Sequence, residues 1–418
     1  MTKDRDEHLF SEGPKRILSL DGGGVRGLIT LGVLKAVEDT LKTRSTEPDR
    51  FRLSDYFDLI GGTSTGALMA TLLALGQSVD DVTELYYEMC PKIFGGSRWF
   101  PGYWSKFDPD SFDLIVKDAF EKVLRENNVH PHEPTMGTDL LRTGLALATK
   151  RIDTGSVWVQ TNNPRHKFWD QDSDHWRDYW ANRSDISFFA NRSYSLRKVA
   201  QASASAPYYL DAVEMDISPE EKGLFFDGGA SPFNNPSMEL FLMTTLKSYA
   251  EASEKVGHSP HGFSWQTGKD NLYMLSIGTG TWRNRANVRE FRKMSAAGKA
   301  VHALRSIISD AEKAGVVFMQ AISETSPGHY VDFNLDDMTG LRIVDEPLLT
   351  FRRINPILDS RWLKTELGDE FDYTPRMLKR LQQIDLAENA NLKRCHDIGV
   401  ATGKAYISDV DFPAAFDI

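Results

Sequence analysis

One serine lies between two glycines, at a position where its hydroxyl could act as a nucleophile. Gly62, Ser64 and Gly66 form a G-x-S-x-G pattern that follows the apolar run Phe57–Ile60 and precedes a run of helix-forming residues. In this order of strand, turn and helix, the serine sits on a strained turn with its hydroxyl pushed outward. Small flanking residues are needed because a side chain there would collide with the helix or with an approaching acyl group. The pattern therefore predicts a nucleophile, and the N-terminus of the following helix would stabilise negative charge beside it.

A glycine-rich stretch upstream could supply hydrogen-bond donors for a negatively charged oxygen. The strand-like run Arg16–Leu20 leads into the loop Asp21–Gly27, and a helical pattern of apolar residues follows. A loop that joins a strand to a helix N-terminus exposes consecutive backbone N–H groups, which bind anionic oxygen. Gly22, Gly24 and Gly27 match the G-x-G-x-x-G dinucleotide fingerprint, but no acidic residue stands at a clear strand end about 20 positions later. A nucleotide-phosphate loop is also disfavoured, because the stretch has no Gly-Lys-Ser/Thr ending.

The same loop can be interpreted as an oxyanion hole. Adjacent parallel strands would bring its turn and the turn of Ser64 to the same end of a sheet. The N–H groups of Gly23, Gly24 and Thr65 could then surround the oxygen of a tetrahedral intermediate. The alternative that stays open is a tight glycine turn without a ligand.

An aspartate at the end of a later strand is the candidate base. Leu224–Asp227 has the pattern of an apolar strand that ends in the acid and is followed by Gly228 and Gly229. A carboxylate at that point is well placed to accept a proton from a serine across the sheet. An Asx-turn or a helix cap is the other interpretation, since aspartate is common at both. The histidines that follow in the chain, none of which lies in a distinctive turn, are His258, His261, His302, His329 and His396.

The composition limits the class of protein. The chain has 418 residues and a formal net charge of −10, which argues against a non-specific nucleic-acid binder. Its start has no apolar core after the first charges, and no uncharged apolar run approaches the roughly 18 residues of a membrane span. Cys90 and Cys395 are far apart and have no metal-ligand spacing. We therefore expect a cytoplasmic protein without a metal site, whose contact with a membrane is peripheral, transient and apolar.

The elements that must position these residues have an α/β pattern. Strands are predicted at 16–20, 57–60, 141–149, 157–161, 224–227 and 272–277, with a final edge strand at 348–356. A helix of small residues, Leu196–Ala206, is expected to pack closely on the nucleophile helix. Residues 77–135 have a less regular pattern, and 374–406 are expected to be helical. Insertions around 90–135 and 163–194 are rich in aromatic side chains, which suit either a lipid boundary or ordinary loop packing.

Several separated motifs together resemble those of the patatin-like phospholipase family. They occur in the family's order and spacing, and they are Asp21–Gly27, Gly62–Gly66, Ala202–Pro207 and Asp227–Gly229. The segment Ser276–Gly280 is also similar to a patatin segment, so the resemblance covers roughly residues 15–280. It implies a three-layer α/β/α fold with a central, mostly parallel sheet.

The resemblance also implies roles for particular residues. Ser64 would be the nucleophile and Asp227 the proton acceptor of a Ser-Asp dyad that needs no histidine, metal or cofactor. Gly23 and Gly24 would supply the oxyanion hole, and Arg26 occupies the family's basic position in that loop, where it would steady the site electrostatically. The implied activity is of the phospholipase A or lysophospholipase type, on membrane phospholipids at the bilayer surface.

The resemblance further suggests how the chain is divided and regulated. We expect residues 15–350 to form the hydrolase domain and residues 351–418 to form a helical C-terminal extension packed on the same domain. Some bacterial members of the family are anti-phage effectors switched on by a cyclic nucleotide, so such an activator is a further expectation, whereas a nucleic-acid polymer is not. A homo-oligomer stays open. The alternative function is a lipid-binding or interaction protein that keeps the fold without catalysis.

Overall fold

The computed structural model describes residues 3–95, 106–126, 133–181, 183, 185–247, 259, 261–282, 288–325 and 335–417. Its strands are β1 (Lys15–Leu20), β2 (Leu59–Thr63), β3 (Gly144–Arg151), β4 (Val157–Thr161), β5 (Val213–Asp216), β6 (Lys222–Asp227), β7 (Leu272–Ile277), β8 (Glu324–Thr325) and β9 (Thr350–Ile354). They form one mixed sheet in the order β5-β6-β3-β2-β1-β7-β9-β8, with β4 also paired to β3.

Helices connect these strands and follow the last of them. They are α1 (Arg5–Phe10), α2 (Gly27–Lys42), α3 (Leu53–Tyr56), α4 (Thr65–Ala74), α5 (Val79–Phe94), α6 (Pro109–Glu126), α7 (Arg177–Ala181), α8 (Leu196–Ala204), α9 (Ser237–Thr245), α10 (Val288–Lys293), α11 (Ala296–Ala321), α12 (Ser360–Leu367), α13 (Pro375–Leu381) and α14 (Asn389–Tyr406). Among the described residues, no helix is both long enough and apolar enough to cross a membrane.

The centre of the sheet is parallel, as the sequence predicts. Strand β1 pairs with β2 on one side and with β7 on the other, and β9 continues the parallel order beyond β7. Leu20 lies opposite Gly62 of β2 and opposite Ile277 of β7. Because parallel strands end at the same edge of a sheet, the glycine loop, the serine turn and the segment after β7 meet there.

Strand β3 brings the ends of β2 and β6 to adjacent positions. Strand β2 pairs with β3 in parallel, whereas β6 pairs with it in the antiparallel direction. Thr63, the last residue of β2, lies opposite Ala148. Asp227, the last residue of β6, lies opposite Thr149. Two strands that run in opposite directions therefore end beside consecutive residues of β3, which makes neighbours of residues 163 positions apart in the chain.

Helices cover both faces of the sheet, which confirms the predicted three-layer α/β/α fold. Alternate side chains of the central strands enter two different hydrophobic cores, as the two-residue period of a strand requires. Leu18 and Ile60 belong to the core that contains α2, α4, α5, α8 and α14. Ile17 and Leu59 belong to the core that contains α9 and α11. These side chains are fully buried, as is usual for a parallel sheet covered on both sides.

The C-terminal helix α14 packs along α2, the helix that follows the glycine loop. Glycines allow the close approach, because a Cβ on Gly399 of α14 would collide with the carbonyl of Ile29. A Cβ on Gly32 of α2 would likewise collide with the backbone of Val400. Strand β9 lies across the position where the C-terminal extension is predicted to begin, and it is part of the sheet. The division at that position stays a prediction.

Two expectations about individual elements are wrong. Residues 77–135 are not irregular where they are described, since they contain α5 and α6. Ser78 begins α5 through a capping box with Asp81, and the buried apolar residues that follow, such as Val82, Tyr86 and Met89, recur at helical spacing, so local signals for this helix were present. The strand predicted at 348–356 is not at the edge of the sheet, because β8 pairs with β9 on its outer side. Strand β8 has two residues, too few to leave a sequence pattern.

The structure describes the aromatic residues of the second insertion but only some of those of the first. The run of aromatic and basic residues at 96–105 lies outside the described residues. In the second insertion, Trp169, Trp176 and Trp180 are buried. The ring of Trp180 also packs against those of Phe168 and Phe188. These contacts support ordinary loop packing for the second insertion.

Candidate active site

The turn after β2 holds Ser64 in a backbone conformation that is uncommon for a residue with a side chain. Its φ is 57° and its ψ is −127°, a combination that is strained for residues other than glycine. Gly62 and Gly66 are packed against each other so closely that a Cβ on Gly62 would collide with the Gly66 carbonyl. Helix α4 begins at Thr65, so the positive end of its dipole lies beside the serine. This is the strand-turn-helix geometry that the sequence predicts for an outward-facing hydroxyl.

Ser64 and Asp227 are directly hydrogen-bonded to each other. The Ser64 hydroxyl donates to Asp227 Oδ2 at 2.6 Å, and the two residues are only 7% and 4% exposed. Burial raises the pKa of Asp227 to about 6, although the hydrogen bonds from Ser64 and from the Gly229 N–H oppose this shift. A carboxylate with this pKa is ionised at neutral pH and is a stronger base than a solvated aspartate. The geometry thus allows the serine proton to pass to the carboxylate.

Asp227 also caps the turn that follows β6. Its second oxygen, Oδ1, accepts the Gly229 N–H at 2.7 Å. One carboxylate oxygen is therefore held by the backbone while the other faces the serine. The two interpretations of Asp227 made from the sequence are compatible, because each describes a different oxygen of the same carboxylate.

Helix α8 and Ser205, the residue that follows it, contact the backbone of Ser64 and Asp227. The Ser64 N–H donates to Ser203 Oγ at 3.0 Å, and the Ser203 hydroxyl donates to the Ala148 carbonyl at 2.6 Å. The Asp227 N–H donates to the Ser205 carbonyl at 3.0 Å. The contacts between α8 and α4 confirm the predicted packing, but the hydrogen bonds of Ser203 and Ser205 were not predicted. Two serines within an alanine-rich run were the signal that could have indicated them.

Three backbone N–H groups of the glycine loop and the serine turn have no hydrogen-bond partner among the described residues. They belong to the residues predicted to form an oxyanion hole, Gly23, Gly24 and Thr65. The N–H groups next to them in the glycine loop, those of Gly22 and Val25, donate to backbone carbonyls at 3.1 and 2.8 Å. The loop touches the serine, since a Cβ on Gly22 would lie 2.8 Å from Ser64 Cβ. Unpaired donors are what the predicted oxyanion hole would require.

Two side chains fix the orientation of the peptide groups that carry the Gly23 and Gly24 donors. In a trans peptide, the carbonyl and the following N–H point in opposite directions. The Thr279 hydroxyl donates to the Gly22 carbonyl at 2.9 Å, which directs the Gly23 N–H away from Thr279. Arg26 donates to the Gly23 carbonyl from its backbone N–H at 3.2 Å and from Nε at 3.4 Å. The Gly24 N–H is thereby directed away from Arg26.

Arg26 is buried between the glycine loop and the segment after β7. Its guanidinium donates from Nη1 to the Gly280 carbonyl at 3.3 Å and lies 4.6 Å from the centre of the Trp282 ring. Burial lowers the pKa of Arg26 to about 10, so the side chain stays protonated at neutral pH. A positive charge therefore lies beside the loop, which is compatible with the steadying effect expected of this position.

A buried polar network joins the ends of β1, β7 and β9. Asp21 accepts from Arg353 Nη1 at 2.8 Å and from Asn235 Nδ2 at 2.8 Å. Arg353 and Asn235 also donate to Ser276 Oγ, each at 2.9 Å. The sequence analysis missed this network. The two consecutive arginines of β9, Arg352 and Arg353, were the signal that could have indicated it, because a buried charge needs a partner.

Neither Ser64 nor Asp227 has a histidine among its hydrogen-bond partners in the part of the chain that the structure describes. His258 and His329 lie outside that part. Within it, no group of three or more His, Cys, Asp or Glu side chains could hold a metal ion. The two cysteines are buried and free.

Comparison with known proteins identifies a family match over the region that contains most of these residues. The model of the family described as patatin-like phospholipase matches residues 18–241, which is more than half of the chain. The matched region begins in β1 and ends in α9, so it includes the glycine loop, Ser64 and Asp227. Strands β7 and β9 and helix α14 lie outside it.

Individual relatives come from plants and bacteria. Patatin-like protein 4 from Arabidopsis thaliana is 42% identical over 275 residues, which cover 63% of this chain and 59% of that protein. A cUMP-AMP-activated phospholipase from Escherichia coli is 47% identical over 223 residues, 53% of this chain and 57% of that protein. The chain thus spans about three fifths of the length of both relatives. Among solved structures, VipD from Legionella pneumophila aligns with 94% of this chain and 66% of its own, at 12% identity and a TM-score of 0.33.

Proposed function

Because the chain belongs to the patatin-like phospholipase family, we propose that it hydrolyses fatty-acyl esters of membrane phospholipids, with Ser64 as nucleophile and Asp227 as general base. The observation that carries the proposal is the 2.6 Å hydrogen bond between the Ser64 hydroxyl and Asp227, on a strained turn that the glycine loop contacts. The catalytic unit in this proposal is residues 15–350, with residues 351–418 as an extension packed on the same domain.

The first half of the reaction transfers the acyl group to the serine. Ser64 Oγ attacks the ester carbonyl carbon while its proton passes to Asp227 Oδ2. The carbonyl π electrons move to the oxygen, whose negative charge is stabilised by the N–H groups of Gly23, Gly24 and Thr65. The carbonyl then re-forms, the bond to the alcohol oxygen breaks, and that oxygen takes the proton from Asp227. The products are an acyl-serine and a lysophospholipid or alcohol.

The second half of the reaction releases the fatty acid. Asp227 takes a proton from a water molecule, whose oxygen attacks the acyl-serine carbonyl. The second tetrahedral intermediate uses the same N–H donors, and its collapse breaks the bond to Ser64 Oγ, which recovers its proton from Asp227. These steps use side chains and backbone donors of this chain together with one water molecule.

Fatty-acid release from phosphatidylethanolamine and phosphatidylglycerol vesicles tests the proposal. We expect Ser64→Ala to abolish release and Asp227→Asn to lower it roughly 10²- to 10⁴-fold, the range of a general base. Ser54→Ala is the matched control, because Ser54 is also a buried serine and its hydroxyl has no hydrogen-bond partner among the described residues. This control is expected to keep wild-type activity, and circular dichroism checks the fold of all three variants.

Two other outcomes would contradict the proposed roles of Asp227 and Ser64. Undiminished release by Asp227→Asn would mean that a different group is the base. The alternative function, a lipid-binding protein without catalysis, requires that a fluorophosphonate probe leave Ser64 unlabelled while the protein still sediments with the vesicles.

A second proposal concerns regulation and is favoured by the Escherichia coli relative, which is named for activation by cUMP-AMP. We propose that a cyclic nucleotide activates this chain as well and that it acts as an anti-phage effector. The test is vesicle hydrolysis with and without a panel of cyclic di- and trinucleotides at equal concentration. Activation by one member is expected, and equal rates across the panel would contradict the proposal.

A further inference from the structure

The turn between α13 and α14, residues 382–388, contacts the glycine loop. The Val25 N–H donates to the Ile384 carbonyl at 2.8 Å. Gly24 lies so close to the same carbonyl that a Cβ on it would collide with the Ile384 oxygen. Gly24 also has a φ of 61°, so both its conformation and its surroundings require glycine. The 382–388 turn therefore forms one wall of the loop that carries two of the proposed oxyanion donors.

Asp385, the next residue of this turn, forms an ion pair with Lys106. The pair joins residues 279 positions apart, and the side chains of Asp385 and Lys106 are 14% and 31% exposed. Lys106 Nζ lies 5.3 Å from the centre of the Phe107 ring and 5.6 Å from that of Tyr209. Partial burial and the adjacent rings reduce the screening of this pair by solvent.

The backbone of Lys106 is bound to the other side of the site. Its N–H donates to the Tyr208 carbonyl at 2.9 Å. Tyr208 follows α8, the helix whose Ser203 accepts the Ser64 N–H. Lys106 therefore connects the two parts of the site, through its backbone to the helix that holds Ser64 and through its side chain to the turn that borders the glycine loop.

We propose that the Lys106–Asp385 ion pair positions the oxyanion donors of the glycine loop relative to Ser64. The proposal rests on the proposed acyl hydrolase function and adds that a C-terminal segment beyond the family match completes the active site. Lys106 and Asp385 are positioning residues, because their effect on the reacting atoms passes through Ile384 and Val25. Oxyanion donors must lie about 2.7–3.1 Å from the oxygen, and a misplacement of about 1 Å can lower the rate roughly 100-fold. The effect falls on kcat because the oxyanion exists only after attack.

Charge-pair variants test the proposal. Lys106→Met keeps the aliphatic part of the side chain and Asp385→Asn keeps its shape, while each removes one charge. The double variant Lys106→Asp with Asp385→Lys restores opposite charges in reversed order. Lys393→Met is the matched control, because Lys393 forms an exposed i,i+4 pair with Asp397 on α14.

The readouts are kcat and KM on a soluble p-nitrophenyl ester and the rate at which a fluorophosphonate labels Ser64. We expect each single variant to lower kcat and the labelling rate roughly tenfold and to leave KM within about twofold, as for an interaction made in the transition state. The double variant is expected to recover at least about half of the wild-type kcat, and the control to match the wild type. Thermal unfolding measures stability separately.

Unchanged kcat in the single variants would overturn the proposal, and so would a fall in kcat that the double variant does not reverse. If Lys106→Met does not fold, Asp385→Asn and the double variant decide the question. A wild-type protein that neither reacts with the probe nor releases fatty acid, with or without the panel of cyclic nucleotides, would instead contradict the proposed function.

Discussion

Replacing Thr279 by valine is expected to impair catalysis while the fold stays intact. Thr279 is buried after β7, and its hydroxyl donates to the Gly22 carbonyl at 2.9 Å. The same peptide group carries the Gly23 N–H, one of the proposed oxyanion donors. Valine has the shape of threonine and fills the same space against Gly23, but it has no hydroxyl to donate.

The size of the effect follows from the unpaired carbonyl. A buried acceptor that loses its donor costs about 1–3 kcal/mol, and the Gly22–Gly23 peptide can relieve this cost by rotating. Rotation would turn the Gly23 N–H away from the oxyanion. Outright removal of one oxyanion-hole donor lowers kcat about 10²- to 10³-fold, and a rotated donor keeps part of its interaction. At about 1.4 kcal/mol per factor of ten, a loss of roughly 1.5–3 kcal/mol lowers kcat about 10- to 100-fold.

The assay compares kcat and KM of Thr279→Val and Thr279→Ser with those of the wild type on a soluble ester. Serine keeps the hydroxyl, so we expect Thr279→Ser to retain most of kcat, whereas the valine variant loses it at nearly constant KM. Wild-type kcat in Thr279→Val would refute the reasoning that this hydroxyl orients the Gly23 donor. An equal loss in both variants would show that the methyl contact, not the hydrogen bond, is what matters.

Four further predictions concern groups around the same site. In a pH profile, kcat/KM is expected to fall as the pH drops below about 6, because burial raises the pKa of Asp227 in the free protein to about 6 and only the carboxylate accepts the serine proton. Asp227→Asn is expected to raise the free energy of unfolding at pH 7 by about 2–3 kcal/mol. The folded wild-type protein holds the Asp227 proton more tightly than the unfolded chain, so the free energy of unfolding of the wild type falls as the pH rises from about 4 to 6. Urea titrations should therefore show the gain of the asparagine variant over the wild type at pH 7 and not below pH 4. Ser203→Ala leaves the Ser64 N–H without its acceptor, so urea unfolding should show a loss of about 1–3 kcal/mol and the ester assay a lower kcat. Arg353→Met leaves the buried Asp21 uncompensated and should lower the free energy of unfolding by about 3–5 kcal/mol in the same titration.

The central elements of the fold were predictable because local patterns define them. An apolar run followed closely by glycines indicates β1, β2 and β6, although Gly61 and Gly62 belong to β2 itself, and the small residues of Leu196–Ala204 indicated a closely packed helix. Helices α5 and α6 were missed although both carry buried apolar residues at helical spacing, as at Val82, Tyr86 and Met89 of α5 and at Phe112, Val116 and Phe120 of α6. The capping box at Ser78 was a second local signal for α5.

The candidate site was predictable in its reacting groups but not in what holds them. Ser64 and the glycine loop lie in short motifs whose backbone conformation requires particular residue types. The partners that orient these groups come from distant segments. Thr279 lies beyond the family match, and the Ile384 carbonyl belongs to the backbone, which carries no sequence signal of its own.

The sequence by itself determined which groups can react, because a strained turn, a glycine loop and a strand-end acid are each encoded within a few residues. Only the tertiary structure decided that Asp227 both caps its own turn and faces Ser64, since this depends on the register of β2 and β6 against β3. It also decided that the C-terminal turn borders the glycine loop. Such contacts depend on strand register and helix packing, which join residues hundreds of positions apart and leave no local pattern in the chain.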